Sequence, residues 1–241
     1  MIKKQRGMTL IELMVSMMLG LGLVAGVSQL FIQSQKSFTL QRNLSDMMDD
    51  GTFVLEDLAK GLGLAGYSED GSAVSGYIGT NSTDNELYYS FKLGNLSQLN
   101  NSICIANSFA IGDLVTVRIY NSTANVLTCV SKSASQPLIS DVQKLVFKYG
   151  VKTLNLACAA PATPTIPDYC FYYAKAADVT DWTKVFAVKV FVVLRSVDKN
   201  LTKNKTGWKI DGGAMEYPTT DEKRLYKVFS KTIYLRAGDK S

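Results

Sequence analysis

The amino-acid sequence predicts an α+β protein, in which one long N-terminal helix precedes a mainly antiparallel β globular domain. The first observation is an apolar run from Met8 to Ile32, in which Glu12 is the only charged residue. Apolar residues at helical spacings of three and four continue this run to Lys60. The second observation is a series of short runs rich in Val, Ile, Tyr and Phe after residue 66, separated by turn segments and without a helical crossover.

Composition excludes several classes of protein. With 46% hydrophobic and 20% charged residues, the 241-residue chain is not a disordered polymer, and it is long enough for one sizeable domain or a small domain with an extension. Histidine is absent, which excludes histidine-based catalytic triads and HExxH zinc sites. None of the four cysteines forms a CxxC pair. No spacing in the sequence marks a catalytic nucleophile together with its general base. We therefore expect neither enzymatic activity nor a metal or cofactor.

The first element is a basic flank followed by a segment long enough to cross a membrane. Lys3, Lys4 and Arg6 contribute to the net charge of +5, and a basic flank orients the N-terminus of the following helix toward the cytoplasm. Residues 8–32 exceed the ~20 residues that cross a bilayer core as a helix. Inserting a carboxylate at membrane depth costs about 2.5–3.5 kcal/mol, so Glu12 is expected to have a partner. Three interpretations are open: a signal-anchor helix, a secretory signal peptide cleaved near residues 24–26, or a helix in which Glu12 is functional.

The residues around Glu12 form a specific signal. Residues 3–7, KKQRG, followed by residues 8–12, MTLIE, resemble the class III signal of type IV prepilins and type II secretion pseudopilins. The resemblance implies that a membrane peptidase cuts after Gly7 and methylates the new amine of Met8. It also implies that Glu12, the fifth residue of the mature chain, meets the amine of a neighbouring subunit. The opposite charge would then offset the cost of burying the carboxylate.

The predicted helix has two halves. Residues 8–32 are apolar on all sides, whereas residues 33–60 are amphipathic, with acidic residues such as Asp57 assigned to the polar face. Gly22 and Gly26 form a GxxxG pattern that allows close helix packing in a membrane, although glycine is also common in membrane helices. A GxGxxG pattern at residues 61–66 follows a helix rather than a strand. We therefore interpret it as the end of the helix and not as a nucleotide site.

The globular domain is predicted to contain strands after a loop at residues 67–85. The predicted strands cover residues 86–93, 113–120, 125–131, 138–149, 169–174, 184–197 and 227–236. The even number of cysteines indicates an oxidising compartment. Of the three possible pairings, proximity in the sequence favours the disulfides Cys104–Cys129 and Cys158–Cys170, and four buried free thiols are the alternative.

Two further patterns resemble the PilW family of minor pilins. They are the sequence Gly-Leu-Ala-Gly-Tyr at residues 63–67, directly after the helix, and the paired strand-like segments at residues 185–195 and 226–236. The resemblance implies a pilin-like lollipop, a long helix packed on a β-rich domain. Its four parts would be a prepilin leader at residues 1–7, a transmembrane and assembly half of the helix at 8–32, an amphipathic half at 33–60, and a periplasmic or extracellular β-rich globular domain at 61–241.

The same resemblance implies a structural role in a type IV pilus. The chain would first be a single-pass protein of the inner membrane with its N-terminus in the cytoplasm, and then part of the pilus at the cell surface. There it would help to initiate assembly near the tip and support twitching motility, adhesion and DNA uptake. The implied partners are inner-membrane lipid, the prepilin peptidase and methyltransferase, other minor pilins, the major pilin, the inner-membrane assembly platform and a tip adhesin.

Two other functions are compatible with the same sequence. One is a J-type pseudopilin of a type II secretion system, which shares the leader and the long helix. The other is a membrane-anchored periplasmic receptor for DNA or another ligand. A loose basic cluster near Trp208 is a candidate DNA contact, but its charges are scattered and lack regular aromatic residues, which favours a solvated loop. The cluster comprises Lys199, Lys203, Lys205 and Lys209.

Overall fold

The computed structural model describes residues 9–68, 77–95, 103–105, 109–132, 134–154, 169–220 and 222–235. One long helix precedes a set of antiparallel strands, which confirms the predicted α+β class. The chain divides into two compact units, Met1–Ser45 and Asp46–Ser241, and the helix contributes residues to both units.

Helix α1 spans Leu10–Leu62, close to the predicted range. Within the second unit it buries one face, which confirms the amphipathic pattern of its later half. That face is formed by Met47, Val54, Leu58 and Leu62. The chain turns over residues 63–66, and Gly66 takes a φ of 76°, a left-handed conformation that favours glycine. The GxGxxG pattern therefore ends the helix, as predicted.

The strands of the described residues form two four-stranded sheets and one small hairpin. The strands are β1 (Glu86–Lys92), β2 (Leu114–Asn121), β3 (Leu127–Ser131), β4 (Ala134–Ile139), β5 (Val142–Leu154), β6 (Tyr169–Ala174), β7 (Val185–Arg195), β8 (Trp208–Lys209), β9 (Met215–Glu216) and β10 (Tyr226–Tyr234). The first sheet has the order β1-β2-β3-β4, the second has the order β10-β7-β5-β6, and β8 pairs with β9. Each of these pairings is antiparallel, as the sequence predicted.

One apolar core joins α1 and both sheets within the second unit. In β2, Val115, Val117 and Ile119 are completely buried while Thr116 is exposed and Arg118 is half-buried, so the predicted alternation is confirmed. Strand β7 is buried along almost its whole length. The reason is its central place in the second sheet, where the core covers one face and the segment between β7 and β10 lies over part of the other.

Two predicted strand ranges are wrong. The range 138–149 is not one strand, because the chain turns at Ser140 and Asp141 between β4 and β5. Asp141 has a φ of 57°, which aspartate tolerates better than most residues, and its carboxylate pairs with Arg195 at 2.9 Å. The range 125–131 starts too early, because Asn125 lies in a turn with a φ of 60° and β3 begins at Leu127.

The predicted disulfide between Cys104 and Cys129 is confirmed, and it joins the turn at residues 103–105 to β3. The same turn is bound to α1, since the backbone N–H of Ile103 donates to Oδ1 of Asp57 at 3.0 Å. Asp57 is only 6% exposed, so its assignment to the polar face of the helix is wrong. The pair Cys158–Cys170 stays a prediction, because Cys158 lies outside the described residues.

Candidate functional site

The most unusual surface of the described chain is the exposed apolar part of α1. This helix is long and apolar enough to cross a membrane, and no other described helix is. Its most apolar stretch has a mean hydropathy of 2.1, and none of it is buried within the chain. Leu10 is 79% exposed and Phe31 is 62% exposed. An apolar surface of this extent requires lipid or other helices around it.

Glu12 lies in the first turn of this helix. The backbone N–H groups of Glu12 and Leu13 donate to the carbonyl oxygen of Thr9 at 3.1 and 3.2 Å, which starts the helical ladder. The hydroxyl of Ser16 donates to the carbonyl oxygen of Glu12 at 2.7 Å, so that polar group is satisfied within the helix. The Glu12 side chain itself is exposed, and no described residue forms an ion pair with it. A carboxylate placed among exposed apolar side chains is suited to pair with a cation from another molecule.

The predicted processing residues lie outside the described residues. They are the leader charges Lys3, Lys4 and Arg6, together with Gly7 and Met8. Cleavage after Gly7 and methylation of Met8 therefore stay predictions.

Gly22 and Gly26 lie one helical turn apart on α1. A Cβ atom added at either glycine would meet nothing within 4 Å in this chain. The two positions form a flat, open strip on which a second helix could pack closely. Their role in helix packing stays a prediction.

The basic cluster predicted near Trp208 does not form an aromatic platform. Trp208 is 6% exposed, and its indole N–H donates to Oε2 of Glu216 at 3.0 Å. Its ring packs at 5.0 Å from that of Tyr226, measured between centroids. Lys199 is in an ion pair with Glu222 at 2.8 Å. A buried tryptophan cannot stack on a nucleobase, so this arrangement favours the solvated-loop interpretation.

Sequence reasoning missed the hairpin β8–β9, which is held to the outer face of the second sheet. Asp211 pairs with Lys148 of β5 at 2.5 Å and with Lys189 of β7 at 2.9 Å. Hydrogen bonds from these two ammonium groups lower the pKa of the Asp211 carboxyl, and the hydrogen bond from Lys148 has the larger effect. Lys144 forms a further ion pair with Glu216 at 2.7 Å. The sequence Asp-Gly-Gly at residues 211–213 is a turn signal that could have revealed the hairpin.

Comparison with known proteins gives two matches to family models. The family described as Type IV Pilus-assembly protein W matches residues 111–237, which is more than half of the chain. The family described as Prokaryotic N-terminal methylation motif matches residues 2–28. A search of curated proteins gave no match. Among solved structures, the chain is similar to the type IV-like pilin TTHA1219 from Thermus thermophilus, with 11% sequence identity and a TM-score of 0.40. That similarity covers 81% of this chain and 96% of the pilin.

Proposed function

Because this chain belongs to the family of type IV pilus-assembly protein W, we propose that it is a minor pilin, which is processed at its N-terminus and built into a type IV pilus. The family consists of structural pilus proteins, so the chain is not an enzyme, as predicted. The single observation that carries the proposal is the exposed apolar part of α1, which has one carboxylate, Glu12, in the first turn of the helix.

The proposed chain has four functional parts. The leader, residues 1–7, keeps the N-terminus in the cytoplasm and is removed by the prepilin peptidase. Residues 8–32 first anchor the chain in the inner membrane and then enter the filament. Residues 33–60 connect this segment to the globular domain. The domain, residues 61–241, lies on the outer side of the inner membrane, where its Cys104–Cys129 disulfide is stable.

Glu12 is proposed to select cleaved subunits for assembly. Removal of residues 1–7 leaves a positive amine on Met8, and the carboxylate of Glu12 in an adjoining subunit attracts it. In a medium of low dielectric constant this attraction is much stronger than in water. An uncleaved subunit carries its amine seven residues away and cannot form the pair. Assembly with the major pilin and other minor pilins therefore follows processing.

The experiment uses the full chain in cells that make type IV pili. Three quantities are measured: the amount in the membrane, the mass of the N-terminal peptide and the amount in sheared filaments. The Gly7→Ala variant is expected to keep its first seven residues. The Glu12→Ala variant is expected to insert into the membrane and to be cleaved. Its amount in filaments should fall roughly tenfold or more, because the loss of an interaction of ~1.4 kcal/mol lowers an equilibrium constant tenfold. The matched control is Glu56→Ala, an exposed acid farther along α1.

One result would contradict the role of Glu12, and another would contradict the function as a whole. Normal incorporation of Glu12→Ala would exclude the pairing of Glu12 with the amine. A wild-type chain that retains residues 1–7 and never enters filaments would exclude a pilin. If deleting the chain also left pilus formation unchanged, the anchored-receptor interpretation would take its place.

A further inference from the structure

The edges of the two sheets differ in how they are protected. Strand β1 is covered by the preceding chain, since the backbone N–H of Gly79 donates to the carbonyl of Tyr88 and that of Ser90 donates to the carbonyl of Tyr77, both at 2.8 Å. Strand β4 contains Pro137, which has no N–H to offer a further strand. Strand β10 lies against α1 through Phe229 and carries lysines along its edge. Of the four edges of the two four-stranded sheets, three are therefore blocked.

The fourth edge, β6, has none of these protections among the described residues. Its sequence, YCFYYA, contains no charged residue, proline or glycine. It pairs with β5 on one side and forms the end of the second sheet on the other. In an antiparallel edge strand, alternate residues point their backbone N–H and C=O groups outward. Phe171, Tyr172 and Tyr173 are also 66%, 46% and 40% exposed, so both faces of the strand present aromatic side chains at this edge.

An aromatic patch, formed by Phe171, Tyr173, Phe186 and Tyr234, extends the β6 edge across the outer face of the second sheet. The ring centroids of Phe171 and Phe186 are 5.1 Å apart, and those of Phe186 and Tyr234 are 6.2 Å apart. Gly150 lies beneath the patch, where an added Cβ would be 3.3 Å from atoms of the Tyr173 and Phe186 rings. Tyr234 is 69% exposed. The patch thus offers apolar contacts next to the backbone groups of β6 that point away from β5.

We infer that the β6 edge and the aromatic patch receive an extended strand of a different pilin subunit, which adds a fifth strand to the second sheet. The inference rests on the proposed function. Outward backbone groups of an edge strand are satisfied by another strand, and exposed side chains beside them contact alternate residues of that strand. A nucleic acid is a poorer fit, because β6 has no basic residue and the nearby Lys148 and Lys189 already pair with Asp211.

The contact area explains why the partner is a chain already held nearby. Four aromatic side chains of 150–250 Å² each, about half exposed, offer roughly 400 Å² to a partner. A stable interface buries about 800 Å² on each side, so this surface alone binds weakly. Two subunits anchored by adjacent membrane helices meet at a high effective concentration, which makes a weak contact sufficient.

A second copy of this chain is not the expected partner. The other edges of its two four-stranded sheets are blocked, and β8 and β9 have only two residues each, so among the described strands it could offer only β6 itself. Pairing of β6 with β6 is isologous, which closes at a dimer, whereas successive subunits of a filament meet through different surfaces. The occupant is therefore a strand with apolar side chains from another pilin.

The inference is tested by photocrosslinking in piliated cells. The photoreactive amino acid p-benzoylphenylalanine replaces Tyr172 of β6 in the full chain. The control is the same replacement at Tyr217, which is 57% exposed and lies outside both β6 and the patch. After irradiation, filaments are sheared and cross-linked peptides are identified by mass spectrometry. We expect at least about tenfold more cross-linking from position 172 than from position 217, to one segment of a different pilin.

The Phe171→Glu substitution removes the aromatic contact while preserving the fold. Phe171 lies opposite Lys152 on β5, so the new carboxylate has a favourable cross-strand neighbour. It also places a charge on the edge, which opposes strand addition. We expect cross-linking from position 172 to fall roughly tenfold with an unchanged unfolding midpoint, and the control Tyr217→Glu to have no effect.

The inference is overturned if position 172 cross-links no more than position 217, or if it cross-links to this chain, to a second copy of it or to a protein that is not a pilin. Strong protection from hydrogen exchange of the β6 amides that point away from β5, measured in the isolated chain, would also overturn it. A wild-type chain present in sheared filaments without the cross-link would refute this inference alone. A chain absent from filaments would refute the proposed function and this inference with it.

Discussion

Gly51 of α1 lies directly against the Phe229 ring of β10, so we expect a larger residue at position 51 to destabilise the globular unit. A Cβ atom at residue 51 would lie 2.6 Å from Cγ, Cδ1 and Cε1 of the Phe229 ring. Favourable carbon contacts begin at about 3.5 Å, so either the helix or the ring must shift. In a helix without such a neighbour, replacing glycine by alanine stabilises by about 1 kcal/mol. Overpacking a filled site costs about 1–3 kcal/mol, which outweighs that gain here.

We therefore expect Gly51→Ala to lower the free energy of unfolding by about 1 kcal/mol. In a Phe229→Ala background the ring is absent, and Gly51→Ala should raise the free energy of unfolding by about 1 kcal/mol. The substitution thus changes sign between the two backgrounds, with a coupling free energy of about 2 kcal/mol.

The assay is denaturant unfolding of the full chain in a fixed detergent, followed by the fluorescence of Trp182 and Trp208. Both tryptophans lie in the second unit, so the signal reports the unit that contains the contact. The control is Gly26→Ala, where an added Cβ meets nothing within 4 Å, and it should leave this transition unchanged. Equal stabilisation of both backgrounds by Gly51→Ala would show that the Phe229 ring does not restrict the side chain at position 51.

Three further predictions concern the same globular unit and use the same unfolding assay. Changing both Cys104 and Cys129 to alanine should lower the free energy of unfolding by about 3.5 kcal/mol, the loop-closure value for a separation of 25 residues. Equal stability of this variant and the wild type would contradict the prediction. Asp57→Ala should cost about 1–3 kcal/mol, because the backbone N–H of Ile103 loses its acceptor, whereas Asp57→Asn keeps an acceptor oxygen and should cost less; equal losses in both variants would exclude the hydrogen bond as the cause. Hydrogen bonds from Lys199 and then Arg224 lower the pKa of the Glu222 carboxyl from 4.5 to about 2. This pKa is lower in the folded state, so the stabilisation is present above pH 4.5 and is lost as the pH falls toward 2. The unfolding midpoint of Glu222→Gln should consequently fall less across that window than the wild-type midpoint, while the exposed control Glu56→Gln follows the wild type.

Some features could be predicted because they depend on neighbouring residues. The apolar run after Met8 and the spacing of Met47, Val54 and Leu58 follow the period of a helix, so the helix was found almost to its ends. The alternation of Val115, Val117 and Ile119 identified β2 in the same way. Glu12 was singled out because one carboxylate in an apolar segment is conspicuous in the sequence itself.

The unexpected features depend on residues far apart in the chain. Asp57 has the spacing of a surface residue, and only its contact with the turn at Ile103 explains its burial. The small side chain at Gly51 is required by Phe229, which lies far away in the sequence. In each pair, the residues around one member show no pattern that indicates the other member. The periodicity of the sequence therefore could not reveal these contacts.

Sequence patterns alone predict the long helix, its apolar half with Glu12, the antiparallel class of the domain and the Cys104–Cys129 disulfide. Each of these depends on the order of side chains along one segment or on proximity along the chain. The strand order β10-β7-β5-β6, and therefore which strand lies at an open edge, follows from the folded arrangement and not from any local pattern. Strand order is set by how distant segments share one core, and residues within a single strand carry little information about their neighbours in the sheet.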